Sequence, residues 1–520
     1  AKIMTMKFNT THNPFSPEVL SRRQILIGAS SATVGLAVTP GGRSSVQAAD
    51  PWDLIIVGGG TAGLPAAIFA AQRGARVLVI EASLQLGGAL FLSTGQMSAA
   101  GTRLQKQKGI SDSPQLHFDD VMRISQNTAD PELVRLAVTH AADTFDWLMD
   151  NGLTPPDEHP VLGLAHEPYS VERYAWGPEG GISILDAIEP LALAEEQAGR
   201  LTIWRGQRVR ELLMRDGAVI GVRAENDSGK MTDVFGQSTL LASGGYASNP
   251  ALFYELSGYK QYGKGSYPYS QGDGYLMALA AGGYTRGKEN YRCGSPQILA
   301  SADEPAAPDT RFVIYPERRQ PWEIQVNVNG ERYVAEDSAS VDVREHALLR
   351  QPDLRTWLIF DQAILDQSPS GIEGWDKADF AEAFDSHPMF FKAQTVGELA
   401  EKSGVDGENL VATVQQYNRG QASGTDSAFG RTHMPLPIQQ APFYAIRQQG
   451  FSITSTVGVA ADDQLRVVRQ DGSAIEGLYA AGELLGSGQL MGNTAVGGMM
   501  VTPALTFGRI FGETLLKLRA

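Results

Sequence analysis

The sequence predicts an α/β fold in which a Rossmann-type, dinucleotide-binding domain is assembled from parts of the chain that lie far apart. The first observation is a strand, glycine loop, helix and strand that follow one another between residues 53 and 81. The second is a pair of later strand-like segments that also end in glycines, at 238–245 and 477–483. The third is the length of 520 residues, which is too long for one ordinary core and suits two domains.

The first unit has the order that a dinucleotide-binding motif requires. An apolar strand over 53–57 leads into the loop 58–63, and a helix is predicted over 64–73. A second strand over 76–80 ends at the acidic residue Glu81. A glycine-rich turn alone would not explain this spacing, so we predict a dinucleotide site.

Each part of this motif has a physical role. Gly58 makes the tight turn, Gly60 lets the backbone approach a pyrophosphate, and Gly63 lets the helix pack against the strand. The N-terminus of the helix offers N–H groups and a positive dipole end to the phosphates. Glu81 is predicted to accept hydrogen bonds from a ribose diol.

Further glycine clusters favour FAD over a nicotinamide cofactor. Leu86–Ala89 places a second glycine pair shortly after the acid. The segments 238–246 and 477–483 each lead from a strand into glycines. Three such units suit a long cofactor that lies extended across a domain, whereas a nicotinamide site needs only the first.

Composition and charge exclude several classes of partner. The net charge is −15 and no long basic run occurs, so we expect no nucleic-acid partner. Cys293 is the single cysteine, which excludes an internal disulfide, a c-type haem and an iron–sulfur cluster within this sequence. Electrons are therefore expected to pass to or from an external partner such as a quinone, a cytochrome or a dye.

The first 48 residues are predicted to be a twin-arginine export signal. Ser21-Arg22-Arg23 is followed by a mildly apolar run over 25–38 and by a small-residue cleavage pattern at 46–48. The run has about 14 residues, shorter than the roughly 20 that span a membrane, so we expect no integral membrane span. Because this route exports folded proteins, the signal predicts a tightly bound cofactor and a periplasmic or secreted location.

The chain resembles the fumarate reductase and succinate dehydrogenase flavoprotein family, which includes the 3-ketosteroid dehydrogenases. The residues that carry the resemblance are 93–102, 108–114, 130–134, 243–249, 272–274 and 330–333. The C-terminal run 503–508 looks more like the ketosteroid dehydrogenases. The resemblance implies hydride exchange between flavin N5 and a carbon beta to a carbonyl, with a protein group handling the proton on the alpha carbon.

The resemblance also implies an architecture, a split Rossmann-type FAD-binding domain with an inserted α+β capping domain that holds the substrate. The FAD-binding domain would comprise 50–285 and 443–520, and the capping domain 286–442. A final helix over 502–519 would direct its N-terminus at the flavin. No histidine lies within 89–93, where membrane-complex relatives attach the cofactor, so we predict noncovalent FAD.

These motifs together predict the residues that hold FAD. They are Gly58, Gly60, Thr61, Ala62, Gly63, Glu81, Ala82, Gly87, Gly88, Ala89, Ser93, Thr94, Gly95, Gln96, Met97, Val209, Ser243, Gly244, Asp273, Gly482, Glu483, Gly498, Met499 and Met500.

The substrate-binding positions depart from the pattern of fumarate reductases. Their catalytic Arg corresponds to Ser340 or Val341, the Arg that clamps a carboxylate to Ala495, and two substrate histidines to Ser455 and to Gly294 or Ser295. Ser, Gly and Ala cannot supply bidentate, charge-assisted bonds, which argues against a dicarboxylate. A small, neutral, hydrogen-bonding pocket is expected instead, lined by Ser455, Thr456, Asn493, Thr494 and Ala495.

Several side chains could be the acid or base that handles the substrate proton. Tyr291, Arg319 and Arg344 are the catalytic candidates. Tyr315, Arg318 and His346 are further candidates, and His346 lies on a helix predicted over 343–349. Each could equally form a structural ion pair or lie on the surface. The scattered histidines include no HxxxH or HExxH pattern, so no catalytic metal is expected.

Three functions remain open from the sequence. The preferred one is FAD-dependent α,β-dehydrogenation of a neutral, and in particular a cyclic, ketone. The alternative is an enone or enoate reductase that does not act on a dicarboxylate. The third is a flavin-carrying electron-transfer protein without catalysis, because fold alone does not fix function.

Overall fold

The computed structural model describes residues 51–163, 166–313, 315–316 and 318–518. The predicted export signal, residues 1–48, lies outside these residues. Within the described part, no helix combines the length and apolar character that crossing a membrane requires.

The described residues form strands and helices that alternate in the first part of the chain. The strands are β1 Trp52–Val57, β2 Val77–Ile80, β3 Met97–Ser98, β4 Tyr174–Ala175, β5 Leu201–Trp204, β6 Gln207–Arg215, β7 Ala218–Asn226, β8 Met231–Leu241, β9 Thr285–Arg286, β10 Ile298–Leu299, β11 Pro308–Thr310, β12 Ile324–Val326, β13 Arg355–Asp361, β14 Phe390–Ala393, β15 Phe443–Gln449, β16 Gly458–Val459, β17 Arg466–Val468 and β18 Ala474–Ala480. The helices are α1 Gly63–Gln72, α2 Arg103–Gln107, α3 Pro114–Ile124, α4 Pro131–Asp150, α5 Gly181–Gln197, α6 Pro250–Ser257, α7 Asp273–Ala280, α8 Val341–Leu349, α9 Gln362–Gln367, α10 Lys377–Ser386, α11 Val396–Ser403, α12 Gly407–Ser423, α13 Ser487–Leu490 and α14 Val501–Ile510.

The larger sheet confirms the predicted α/β fold. Its strand order is β17-β18-β8-β1-β2-β5, and the pairs from β18 to β5 are parallel. β7 pairs antiparallel with β8, and β6 with β7, as a branch of the sheet. Leu54, Ile55 and Ile56 in β1 are fully buried, as expected for a central parallel strand covered on both faces. Strands from both ends of the chain therefore share one sheet.

The final helix is shorter than the sequence predicted. The α-helical part is Val501–Ile510, and a π-helical turn, Phe511–Leu515, follows it. A Cβ atom on Gly508 would overlap the carbonyl oxygen of Ala62, and one on Gly512 would overlap that of Ala66. α14 and its π-helical turn therefore pack closely on α1. The sequence predicts one regular helix over this C-terminal segment, whereas the structure has an α-helix followed by a π-helical turn.

The second sheet belongs to the inserted part of the chain, in the antiparallel order β12-β13-β15-β14. Its central strand β15, Phe443–Gln449, pairs with β13 along seven residues. The boundary predicted between 442 and 443 coincides with the start of β15, whose backbone hydrogen bonds join 443–449 to the second sheet. The division of the chain into domains stays a prediction.

Two hydrophobic cores correspond to the two sheets, and Tyr259 and Tyr291 pack against both. The motif at 330–336 lies in the second part and is structural. Arg332 pairs with Glu336 at 2.6 Å and with Asp426 at 3.0 Å, and Glu336 also pairs with Arg431 at 3.2 Å. All four side chains are buried, so this network links α12 and the loop after it to the inserted sheet.

Candidate functional site

The glycine loop after β1 has the geometry that the sequence predicted. Gly58 has a φ of +105°, which favours glycine, and a Cβ there would lie 2.5 Å from the carbonyl oxygen of Ala242. A Cβ on Gly63 would overlap the carbonyl oxygen of Gly58. Ala62 provides no side-chain cap for α1, so no side chain competes for the first N–H groups of the helix. The turn and the helix N-terminus are therefore open to a pyrophosphate.

Glu81 lies at the end of β2, beside this loop. Its carboxylate accepts hydrogen bonds from the backbone N–H groups of Gly59 and Ser83, both at 2.7 Å. Burial raises the pKa of Glu81, and the two backbone N–H groups oppose that shift. Each carboxylate oxygen has a second acceptor position, which the predicted ribose contact requires.

The later glycine units meet the first one at the same edge of the sheet. A Cβ on Gly88 would lie 3.3 Å from the Cα of Gly60, and one on Gly482 would lie 3.2 Å from the Cβ of Ala62. The buried hydroxyl of Ser243, which follows β8, has no hydrogen-bond partner among the described residues. These backbones form a narrow cradle with an unused polar group, which fits an extended dinucleotide such as FAD.

The start of α14 faces the segment around Ser98. The backbone N–H of Ser98 donates to the Thr502 hydroxyl at 2.9 Å, and that hydroxyl donates to the Ser98 carbonyl at 3.1 Å. A Cβ on Gly498 would overlap the Ser98 backbone. Met500, the residue before α14, provides no side-chain cap. α14 therefore offers a second uncapped helix N-terminus, as predicted for the flavin end of the site.

Other predicted cofactor residues are distributed around the cradle. Asp273, at the start of α7, forms a bidentate pair with Arg208, with distances of 2.8 and 2.9 Å. Gln96 accepts a hydrogen bond from the Tyr174 hydroxyl at 2.6 Å. Val209 lies in β6 with its side chain buried. These three positions depend on the branch β6–β8 and on β4, which the glycine motifs alone do not locate.

A cavity of about 520 Å³ lies next to the strand end that carries Glu81. Ala82, Gly206, Arg208 and Tyr269 are among its lining residues. Because it lies beside Glu81, the predicted ribose ligand, we expect this cavity to receive the adenosine part of the cofactor.

The structure assigns internal roles to two of the predicted substrate residues. The Ser455 hydroxyl is fully buried and accepts a hydrogen bond from the Tyr246 N–H at 2.7 Å, while the Ser455 N–H donates to Glu483 at 2.8 Å. The Thr494 hydroxyl donates to the Ile124 carbonyl at 2.8 Å. Both hydroxyls connect parts of the fold, which argues against their use in substrate binding.

The remaining three substrate candidates differ in whether their polar groups already have hydrogen-bond partners. The Thr456 hydroxyl is buried and has no partner among the described residues. The Asn493 side-chain oxygen accepts a hydrogen bond from the Thr128 hydroxyl at 3.2 Å. The backbone carbonyl oxygen of Asn493 lies 2.8 Å from Nε2 of His346. The backbone N–H of Ala495 lies near the carboxylate of Asp342 and acts to lower its pKa.

The predicted catalytic Arg319 has a structural environment. Its guanidinium is buried, pairs with Glu323 at 2.6 and 2.9 Å, and donates to the Pro369 carbonyl at 2.9 Å. Removing one partner of such a buried pair leaves an uncompensated charge, which explains the arrangement without catalysis. The structure therefore favours a structural role and argues against the prediction for Arg319.

Tyr291 lies at the seam between the two cores. Its ring stacks on Tyr259 with centroids 4.2 Å apart, and its buried hydroxyl has no hydrogen-bond partner among the described residues. Burial raises the pKa of Tyr291 well above its ordinary value. A hydroxyl held neutral in this way could donate a proton only to a group brought against it, so its catalytic role stays a prediction.

Arg344 lies on α8, whose predicted helix is confirmed as Val341–Leu349. Ser340, at the position of the expected family acid, caps this helix through its hydroxyl, which accepts from the Val343 N–H at 3.3 Å. The Arg344 guanidinium is buried over the Tyr315 ring, 5.6 Å from its centroid. Its position next to Glu345 makes it the one predicted catalytic residue that belongs to a polar cluster.

That cluster joins α8 to two other segments. Possible ligand atoms of His166, Asp342 and Glu345 all lie within 4.8 Å of one another. The Ser295 hydroxyl donates to Glu345 at 2.8 Å. Sequence reasoning missed His166, Asp342 and Glu345 as site residues, although the i, i+3 spacing of the two acids beside Arg344 places them on one helix face.

Electrostatics distinguish the members of the cluster. Burial raises the pKa of Glu345 to about 7, and the nearby Arg292, Ser295 and Arg344 oppose that shift. Burial also raises the pKa of Asp342. Burial and the positive charges of Arg292 and Arg311 lower the pKa of His166 to about 4. At neutral pH the site therefore contains an uncharged imidazole and a carboxyl group near its midpoint.

Two groups in the cluster lack partners among the described residues, Nε of Arg292 and Nδ1 of His166, and both are buried. The expected neutral surroundings of Ala495 are not found, because Arg292 acts on the same carboxylates that Ala495 and Ser295 contact. Three side chains of metal-binding type meet here, but the adjacent guanidinium opposes a cation. The expectation of no catalytic metal stays a prediction.

Comparisons with known proteins show similarity to flavoproteins over most of the chain. A family described as an FAD binding domain matches residues 53–500. The fumarate reductase (cytochrome) of Shewanella frigidimarina is 30% identical over 470 residues, which cover 90% of this chain and 77% of that protein. The 4-oxocyclohexanecarboxylate 2-dehydrogenase of Sinomonas cyclohexanicum is 25% identical over 551 residues, which cover 89% of this chain and 92% of that protein.

A solved structure extends the comparison to the fold. The 3-ketosteroid-Δ4-(5α)-dehydrogenase of Rhodococcus jostii RHA1, in complex with 4-androstene-3,17-dione, has a TM-score of 0.65 at 25% identity. The match covers 92% of this chain and 100% of that chain.

Proposed function

The chain belongs to the fumarate reductase and succinate dehydrogenase flavoprotein family, and we propose that its reaction is the α,β-dehydrogenation of a ketone, cyclic ketones in particular. The protein is an FAD-dependent oxidoreductase that acts on CH–CH groups. FAD, when bound, supplies the acceptor for the hydride that leaves the carbon beta to the carbonyl.

One observation carries the proposal for the substrate class. Ala495 lies where the resemblance places an Arg that clamps a substrate carboxylate, and Gly294 or Ser295 where it places a substrate His. Here the Asp342 carboxylate lies near the backbone N–H of Ala495, and the Ser295 hydroxyl donates to Glu345 at 2.8 Å. Two carboxyl groups of the protein thus take the positions next to these residues. A dicarboxylate would meet like charge there, whereas a ketone would meet a base for its α-proton.

The cations of the cluster complete this reaction. Loss of the α-proton places negative charge on the carbonyl oxygen, and preorganised donors at that oxygen lower the barrier. Arg292 has a buried Nε without a partner among the described residues, which suits it to that oxygen. Arg344 lies beside Glu345 and remains a candidate for the same role.

The arginines also widen the substrate class beyond the neutral ketone that the sequence favoured. A ketone that bears one carboxylate could be held by Arg292 and the exposed Arg311 while its ring lies against the acid pair. A relative at 25% identity is named for the 2-dehydrogenation of 4-oxocyclohexanecarboxylate. This compound and cyclohexanone are therefore suitable probes of the proposal.

A second candidate function is the reverse reaction, reduction of an enone or enoate. The observation that favours it is the 30% identity to a fumarate reductase over 90% of this chain. The same cluster would serve, with Glu345 donating the proton to the alpha carbon instead of accepting it.

An anaerobic spectroscopic experiment separates the two directions. The oxidised holoenzyme is mixed in turn with cyclohexanone, 4-oxocyclohexanecarboxylate and a saturated 3-oxosteroid, and the visible flavin absorption is followed. Bleaching by any of these supports the dehydrogenase. If none bleaches the flavin, but the photoreduced protein is reoxidised by cyclohexenone or an enoate, the reductase is correct. Reoxidation by fumarate at a comparable rate would refute the substrate argument.

We further propose that electrons pass to or from an external partner, such as a quinone, a cytochrome or an artificial dye.

Export by the twin-arginine route to the periplasm or the exterior is proposed from the sequence around Arg22 and Arg23. Replacing both arginines with lysine should retain the full-length protein in the cytoplasmic fraction. Unchanged export of that variant would rule out this route.

A further inference from the structure

We propose that Glu345 is the group that exchanges the α-proton of the substrate, and that Ser295 and Tyr315 connect Glu345 to the protein surface. This inference rests on the proposed function, because it assigns the proton step of that reaction. The resemblance implies an Arg or a Tyr as the acid or base, and Ser340 or Val341 stands at that position in this chain.

The geometry of a hydrogen-bonded chain supports the assignment. The Ser295 hydroxyl donates to Oε1 of Glu345 at 2.8 Å, and the Tyr315 hydroxyl donates to Ser295 at 3.3 Å. A guanidinium N–H of the exposed Arg311 approaches the Tyr315 hydroxyl at 3.5 Å. Glu345 and Tyr315 are buried, so the hydroxyls form a continuous route between a buried carboxyl and solvent.

The surroundings of Glu345 keep its two protonation states close in free energy. His166 and Arg292 face it from two loops, Asp342 and Arg344 from its own helix, and the buried Cys293 thiol lies nearby. Burial and Asp342 favour the neutral carboxyl, whereas Arg292, Arg344 and Ser295 favour the carboxylate. A base that works near neutral pH needs this balance, since proton transfer is most efficient when its pKa matches the working pH.

The step is balanced with FAD as the oxidant. The Cα–H bond breaks and its proton passes to Glu345, while the hydrogen on Cβ leaves with its electron pair as hydride to the flavin. The electrons of the Cα–H bond form the new carbon–carbon double bond. The Ser295 and Tyr315 hydroxyls then reverse the direction in which they donate, so that Ser295 accepts the proton of Glu345 and Tyr315 releases one to water beside the exposed Arg311, whose guanidinium cannot accept a proton.

Exchange of the α-hydrogen tests the proton step without turnover. The photoreduced holoenzyme, which cannot accept a hydride, is incubated in D₂O with cyclohexanone or 4-oxocyclohexanecarboxylate, and deuterium uptake is measured by mass spectrometry. Glu345→Gln should lower catalysed uptake at least about 100-fold, the usual minimum for loss of a general base. Glu345→Asp should retain part of the uptake, and Tyr315→Phe should slow it while keeping the ring that packs against Arg344.

Two control variants match these changes elsewhere in the chain. Glu408→Gln changes an exposed residue in α12. Tyr444→Phe removes a hydroxyl of β15 that donates to Gln362 at the start of α9. Both should exchange like the unmodified protein. The visible spectrum and the flavin content of each variant report whether the fold is retained. If Glu345→Gln does not fold, Glu345→Asp tests the role of Glu345, and exchange by Glu345→Asp at the unmodified rate would then overturn that role.

The outcomes separate this inference from the proposed function. If Glu345→Gln exchanges deuterium at a rate within about twofold of the unmodified protein, the role of Glu345 is overturned, because loss of a general base usually has a larger effect. The proposed function would not be affected by that result. Normal exchange in Tyr315→Phe would overturn the proton route. Neither exchange nor flavin bleaching by the unmodified protein with any ketone probe would overturn the ketone dehydrogenase itself.

Discussion

Replacement of Glu345 by glutamine should change the pH dependence of folding stability in a calculable way. Burial raises the pKa of Glu345 from 4.5 to about 7 in the folded protein. Below pH 4.5 Glu345 is protonated in both the folded and the unfolded state, and its raised pKa does not change the free energy of unfolding. Between the two pKa values only the folded state keeps the proton, so stability falls as pH rises, and above pH 7 the full cost is present.

The magnitude follows from the same shift. A difference of 2.5 pKa units, from 4.5 to about 7, corresponds to about 3 kcal/mol at alkaline pH. Between about pH 5 and about pH 8.5 the change in that cost is about 2.5 kcal/mol. Glutamine cannot ionise, so the free energy of unfolding of Glu345→Gln, relative to the unmodified protein, should rise by about that amount over this interval.

Urea unfolding at both pH values, with FAD at one fixed excess, measures the difference. The lost hydrogen bonds of Glu345 shift both measurements equally and therefore cancel. Glu408→Gln is the matched control, and its offset should not change with pH. An offset for Glu345→Gln that stays constant within about 0.5 kcal/mol would show that the carboxyl is ionised in the folded protein throughout, and the reasoning about its burial would fail.

Three further changes test other parts of the structure. Gly63→Ala should abolish FAD binding because the added Cβ would overlap the Gly58 carbonyl. The control Gly397→Ala adds a Cβ in open space on α11 and should keep the flavin. Equal flavin content in the two purified proteins would contradict this prediction. Glu336→Gln leaves Arg332 and Arg431 without their shared buried carboxylate and should lower the free energy of unfolding by about 3–5 kcal/mol, and a loss below about 1 kcal/mol would speak against the network. In the ketone reaction the initial rate of flavin bleaching should rise with pH through about 7, as the Glu345 carboxylate forms, and a pH-independent rate would exclude this base.

The cofactor half of the site could be predicted from the sequence because its determinants are local. Gly58, Gly60 and Gly63 act through backbone turns and close approaches within one strand–loop–helix unit, and Glu81 ends the next strand. Parallel strands place such loops at one edge of a sheet, so the later glycine units were expected there as well.

The catalytic half could not be predicted in the same way. The position of Arg319 in the sequence predicts a catalytic role, but Glu323, four residues later, neutralises its charge in the folded protein. Ser455 and Thr494 were chosen as pocket residues, but their hydroxyls bond to backbone groups more than 200 residues away. Which polar groups are already satisfied depends on partners that only the tertiary structure brings near.

The sequence by itself determined the α/β fold, the dinucleotide motif and the absence of the Arg and His residues that clamp a dicarboxylate, since these depend on residue type and short-range spacing. The tertiary structure decided where the charge lies. It brought His166, Arg292, Ser295 and α8 together beside Ala495, and their mutual burial gives Glu345 a pKa of about 7. The physical reason is that desolvation and charge pairing depend on contacts between distant segments, which no local pattern records.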